Sequence, residues 1–374
     1  MKRLGVFVLI GVAATIVTVA WGGHELPIYP SFYPHEIEIK TIAADRTADA
    51  LRDGKVHAYV GQGLSLAAVP PEIRAIESLG SFITVRLNPD SERARDEASA
   101  CAAIKTVIRA LARQDDVVAH PYPVTPLHGD YLHHVDLSAA AKARFSDGDT
   151  SVGDLKVKAT GSLAQSYPDW TARDVDWDIE VAEVAAARLM DAATLAVNGW
   201  LAPPWVRTGW FHAERLLADA MSDPEQKRRA QSDLRRLRAG DYAGLVERIN
   251  LERDLVRALT GSCRKVVAGY RVKREYVNVE YSVGIENIGY DAIDGLHSPI
   301  FIRTVKLKDF PWNGSLVLGM SGEPAAAWNP IGGMTDPFGR LMGFTVGDPA
   351  LIPSPYDAGW MLNRISDVQS SPGP

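Results

Sequence analysis

Four of the nine histidines of this 374-residue chain fall in one short stretch, His120 to His134. The stretch reads His-Pro-Tyr-Pro-Val-Thr-Pro-Leu-His-Gly-Asp-Tyr-Leu-His-His and ends at Val135-Asp136. Imidazole and carboxylate are the usual ligands of zinc, copper and non-haem iron. Pro121, Pro123 and Pro126 stiffen the backbone and lower the entropy cost of gathering ligands. Asp130 and His133 share a face if a helical turn begins at Gly129. His120, His128, Asp130, His133 and His134 are therefore the candidate ligands of a transition metal. The competing expectation is a rigid structural loop, with histidines bonded to backbone or water and Asp136 capping a helix over 137–145. No H-E-x-x-H or similar signature decides between them.

Other polar clusters read as structure. Glu252 falls inside the apolar stripe of a helix over 242–261, with Arg248 one turn earlier, which predicts an i,i+4 ion pair rather than a catalytic acid. Asp176, Glu180, Glu183 and Asp191 form a narrow stripe if 174–200 is one helix, and no Glu-x-x-His partner accompanies them. Lys227, Arg228, Arg229, Arg235, Arg236 and Arg238 spread over a broad helical arc opposite Ala230, Leu234 and Leu237, the pattern of a solvated face. His24 could chelate copper with a free amine only if processing exposed it. Trp312, Trp328, Phe338, Phe344, Tyr356 and Trp360 could line a pocket, or pack an irregular tail.

The elements that must hold these residues follow from periodicity. Strands are expected over 36–42, 56–60 and 82–87, with a helical turn over 47–52 between the first two. The segment from Thr47 to Gly61 resembles the helix–Gly–strand step of periplasmic solute-binding proteins, a likeness that implies a fold step and no ligand contact. A helix over 91–114, capped by Asp90 or Ser91, carries the stripe Ile104, Val107, Ile108 and Leu111. Ser222-Asp223-Pro224 opens another helix with a cap and a proline at its first position. Val277, Val279, Tyr281, Val283 and Ile285 alternate with polar residues and predict a half-buried strand, followed by a strand over 301–307. Beyond Asp309, Gly, Pro and aromatic residues predict loops wrapped around one or two strands.

The address comes from the first 23 residues. Lys2 and Arg3 precede an uncharged run over 4–21, which marks an export signal or a single membrane anchor. The formal charge of −6 becomes −8 without Lys2 and Arg3, and no basic block suggests nucleic acid. Two cysteines, Cys101 and Cys263, could pair in an oxidising compartment or lie buried apart. No C-x-x-C-H, G-x-G-x-x-G, Walker A or G-x-S-x-G is present, so covalent c-type haem and the usual nucleotide and acyl-transfer sites are not indicated. The expected class is α+β: a leader over 1–23, a small α/β domain over 24–150, a helical region over 151–265 and a β- and loop-rich domain over 266–374. The expected role is an exported binding or accessory protein, docked to a protein partner at the outer face of the membrane or holding a small ligand. The alternative is a metal-dependent enzyme centred on the His120–Asp136 loop.

Overall fold

The computed structural model describes residues 34, 36–61, 64–66, 68–146, 151–172, 176–191, 202–309, 314–323, 336–347, 349–363 and 365–367. The apolar run over 4–21, His24, Trp312 and Trp328 lie outside the described residues. No helix among the described residues is long and apolar enough to cross a membrane.

The strands are β1 (Glu36–Thr41), β2 (Ala58–Val60), β3 (Ile73–Leu87), β4 (Val118–Ala119), β5 (Val157–Ala159), β6 (Ile179–Ala185), β7 (Lys265–Asn278), β8 (Ile285–Asn287), β9 (Lys306–Leu307), β10 (Ser315–Met320), β11 (Leu351–Pro353) and β12 (Trp360–Leu362). The helices are α1 (Ala44–Arg52), α2 (Glu97–Leu111), α3 (Val135–Ser146), α4 (Leu163–Ser166), α5 (Ala186–Asp191), α6 (Gly209–Leu217), α7 (Pro224–Ala239), α8 (Leu245–Leu259), α9 (Pro299–Thr304) and α10 (Pro337–Val346). A large mixed sheet runs in the order β1-β10-β2-β7-β3-β6-β5, with β4 also on β7. β1, β10 and β2 are parallel, β2 through β6 pair antiparallel across β7 and β3, and β5 lies parallel to β6. Segments 24–150, 151–265 and 266–374 all contribute strands, so the thirds of the chain meet in one sheet.

β3 and β7 form its centre, paired from Ile73–Asn278 to Arg86–Lys265. Adjacent residues of a strand face opposite sides. Thus Phe82 and Val267 pack under Trp210, Phe211, Leu237, Leu255 and Val256 of α6, α7 and α8. Ile83, Val85 and Val266 pack on the other face against Ile104, Val107, Ile108 and Leu111 of α2, the stripe the sequence shows. Toward β10, Leu316 and Leu318 are covered by Phe301 of α9 and Leu341 of α10.

Local signals account for several ends. The Asp96 side chain accepts from Ser99 N at 2.9 Å and caps α2, five residues later than expected, because a 3-10 turn capped by Ser91 precedes it. Asp223 caps α7 as expected, with Pro224 at its first position and Gly240 at φ 68° closing it. On α7 Arg229 pairs with Glu225, Arg236 with Glu247, and Arg238 lies over the Trp205 and Phe211 rings.

Four expected elements are different. Residues 174–200 are not one helix: β6 occupies Ile179–Ala185 and only Ala186–Asp191 is helical, while 192–200 lie outside the described residues. Seven-residue pairing with β3 outweighs the helix propensity of the alanines. The 151–265 region thus opens with strands β5 and β6 around the short α4, and its longer helices α6, α7 and α8 come later. The strand expected through Ile285 ends at Asn278. Asn278 donates to Leu51 O and accepts from Glu280 N, and Glu280 then accepts from Ser282 N and Val283 N, which turns the chain. Tyr281 is consequently 86% exposed rather than buried. The strand expected over 301–307 is α9 followed by the two-residue β9, since Pro299 starts a helix after Ser298. The tail also holds a helix, α10, capped by Asp336 on Gly339 N.

Cys101 of α2 and Cys263, just before β7, are joined in a disulfide. Helix–Gly–strand order is realised over α1, Gly54 and β2.

Candidate functional site

The His-rich loop runs from β4 into the 3-10 turn Tyr131–His134, which leads directly into α3. Its histidines do not share one centre. His120 Nε2 donates to Val124 O at 2.9 Å, so this imidazole closes the proline-rich turn. His128 Nδ1 accepts from Thr125 N at 2.9 Å, which leaves its proton on Nε2. That Nε2 donates to His212 Nδ1 of α6 at 3.0 Å. His128 and His212 are both fully enclosed. Burial, first of all, pushes His128 down to about 3 and His212 well below the ordinary histidine value.

Asp130 accepts from Gly209 N at 2.9 Å and Trp210 N at 3.2 Å. It caps α6 from a distant part of the chain, because the Thr208 hydroxyl is occupied with Trp205 O. His134 Nδ1 pairs with the Tyr122 hydroxyl at 2.9 Å, and burial pushes this imidazole down to about 4. Asp136 does not cap a helix at 137: it lies in the first turn of α3 and forms two bonds to Arg253. Asp130 and His134 do converge, but on Glu252 of α8, and the three ligand atoms lie within 4.8 Å of one another. The expected Arg248–Glu252 pair forms at 3.4 Å. Glu252 is nevertheless buried rather than at an edge, and burial followed by Asp130 pushes its carboxyl up to about 8.

These shifts give a pH prediction with a definite sign. His128, His134 and His212 are neutral when folded but take up protons near pH ~6.5 when unfolded, so their stabilising contribution is present above that pH and lost below it. Glu252 acts oppositely, its contribution being lost as pH rises toward about 8. Three imidazoles against one carboxyl leave a net of roughly two protons, up to about 2.7 kcal/mol per pH unit below pH ~6.5. Urea-unfolding free energies measured between about pH 7 and about pH 5 should fall accordingly. A flat profile there would show that these histidines are not enclosed.

A second polar centre lies in a cleft of about 330 Å³, which the loop histidines do not line. Lys273 of β7, Arg207, Asp294, His297 and Arg340 line it together with Met190, Ile293, Phe338 and Phe344. Beneath them Glu275 is fully buried in β7. It accepts from Leu296 N at 2.7 Å and Gly61 N at 3.2 Å, and faces His297 Nδ1 at 3.2 Å and Lys273 Nζ at 3.3 Å. Gly295 is required beside it, at φ 66°, because a Cβ there would collide with the carboxylate. Arg207 donates to Asp291 at 2.7 Å and Ser354 O at 2.8 Å, with Asp294 at 3.9 Å. Burial and then Asp291 push the Asp294 carboxyl up, against Arg207, Arg340 and Lys273. Gly80 marks a bulge where β3 passes β7, and a Cβ there would come to 3.0 Å from Arg271 O and Lys273 N.

Of the C-terminal aromatics, Phe338 and Phe344 line this cleft, whereas Tyr356 and Trp360 are exposed. Arg207, Asp291, Asp294 and His297 carried no sequence signal. Glu275 and Lys273 did carry one: they share parity with the buried Val277 on β7. Extending that alternation backwards places two charges on the core side of a strand.

No family model and no curated protein matches the chain. Solved structures similar to it include the oligopeptide-binding protein AppA from Bacillus subtilis in complex with a nonapeptide, at TM-score 0.37 and 11% identity over 70% of this chain and 58% of that one. They also include a nickel ABC transporter from Bacillus halodurans, at TM-score 0.40 and 11% identity over 66% and 58%. NikZ from Campylobacter jejuni in complex with Ni(L-His) aligns at TM-score 0.36 and 11% identity, over 71% and 60%. The chain thus spans less than two thirds of the length of each of these proteins.

Proposed function

We propose that this chain is an exported solute-binding protein that holds a small organic molecule in the cleft above Glu275. The observation that carries the reading is the cleft itself, whose lining mixes charged and apolar side chains. Lys273, Arg207 and Asp294 line it together with Met190, Phe338 and Phe344. Specific small-molecule sites combine an apolar wall with a few convergent polar groups in this way. The volume suits a ligand of amino-acid to short-peptide size. Lys273 donates to Asp294 O at 2.9 Å and sits beside Glu275, which leaves one of its three N–H groups for a ligand acceptor. A carboxylate on an apolar body matches both kinds of lining residue. Export rests on the basic head and uncharged run over 4–21. The outer face of the membrane, with a protein partner there, is where such a carrier would deliver its ligand.

The test is calorimetric titration of the full chain with amino acids, short peptides and small carboxylic acids. One class should bind, and Lys273→Met should weaken it roughly 10- to 100-fold, the range of a charge-assisted hydrogen bond. If no class binds, or if Lys273→Met leaves the affinity of the bound class unchanged, the reading fails.

A further inference from the structure

Glu252, Asp130 and His134 take no part in the cleft, yet they form an enclosed polar group where the His-rich loop meets α8. Their exposures are 1%, 7% and 0%, and their ligand atoms lie within 4.8 Å of one another. His134 Nε2 and Glu252 Oε2 are buried and have no hydrogen-bond partner among the described residues. The same holds for His133 Nδ1, which stands 3.8 Å from Glu252 Oε2. Buried polar atoms are almost always satisfied, and the orphaned His134 Nε2 and Glu252 Oε2 belong to one converging group.

We propose that Asp130, His134 and Glu252 bind one divalent first-row transition metal ion. One imidazole nitrogen and two carboxylate oxygens form a borderline donor set suited to zinc. Bonds of about 2.0–2.2 Å put tetrahedral ligand atoms roughly 3.4 Å apart, so small side-chain rotations close the set around an ion. Each ligand is already oriented from behind. Tyr122 holds His134 Nδ1, the first two N–H groups of α6 hold Asp130, and Arg248 stands against the other Glu252 oxygen. The carboxylate of Asp130 has lone pairs left after those two bonds. His120 and His128 are not ligands, since Val124 O and Thr125 N with His212 occupy them.

Its enclosure makes this a structural site, a clamp between the His-rich loop, the start of α6 and α8, independent of what the cleft binds. Binding to the folded chain alone must therefore raise stability. Chelator-stripped full-length protein should take up about one Zn²⁺ per chain, and its Tm should rise roughly 4 °C at 100 times the Kd. His134→Gln and Glu252→Gln should abolish both effects, while His120→Ala keeps them. Since those variants alter the core, the His134 ring resonances of the native chain should also shift on Zn²⁺ addition. The proposal is overturned if stripped native protein binds no Zn²⁺ or its His134 resonances stay unmoved. It is equally overturned if both glutamine variants fold and retain the metal.

Discussion

Replacing Cys101 and Cys263 together by serine lowers the Tm by roughly 4–7 °C, the expected consequence of losing about 3–5 kcal/mol of stability. The two residues are 162 apart in sequence, and the loop they close carries every element from the rest of α2 to α8. Cross-linking so long a loop removes much of the freedom of the unfolded chain, while the folded chain has β7 and α2 in contact in any case. Scanning calorimetry of the oxidised protein and the double variant reads the difference. Coincident melting would show that the bridge adds nothing to the fold. The same bond bears on export, because a disulfide endures in an oxidising compartment and is reduced in the cytosol. Wild-type protein melted with a reductant should approach the double variant.

What the sequence made legible was local. The α2 stripe, β1 and the Asp223-Pro224 start of α7 all depend on neighbours in the chain, and they are where periodicity and capping put them. β6 was not legible, because Ile-Glu-Val-Ala-Glu-Val-Ala satisfies a helical and an extended period alike. Only its pairing with β3, a hundred or so residues distant, decides. Beyond Asn278 the alternation to Ile285 is a coincidence of composition: Asn278 and Glu280 spend their side chains on a turn. The His-rich loop was visible as a cluster, but its division was not. Which imidazole meets which partner depends on His212 and Glu252, which arrive on α6 and α8 from far along the chain. The i,i+4 reading of Glu252 with Arg248 was right as far as it went. It could not show that the carboxylate is enclosed, since enclosure is a property of packing.

Glu275→Ala should cost about 3–5 kcal/mol, the usual result of removing one partner from a buried charge group. The carboxylate is 0% exposed and holds four groups from three parts of the chain: Gly61 N, Leu296 N, Lys273 and His297. Truncation leaves the Gly61 and Leu296 N–H groups without their acceptor and removes the charge that faces Lys273 and His297. Burial alone would raise this carboxyl, but Lys273, His297 and the Leu296 N–H outweigh it and hold it below the ordinary glutamate value. It is therefore ionised when folded, and its contribution is present above pH ~4.5 and lost as the pH falls below that. Glu275→Gln keeps one carbonyl acceptor and loses the charge, so it should cost less, about 1.5–3 kcal/mol. Urea unfolding at neutral pH ranks the three proteins. If alanine and glutamine cost the same, or alanine costs under about 1 kcal/mol, Glu275 is not the hub its contacts describe. The two variants also separate support from binding. Gly61, Lys273 and His297 all line the cleft, so a loosened hub should weaken the ligand in proportion to lost stability. Lys273→Met should weaken it by more than its own stability cost, because only there is a ligand contact removed along with a structural one.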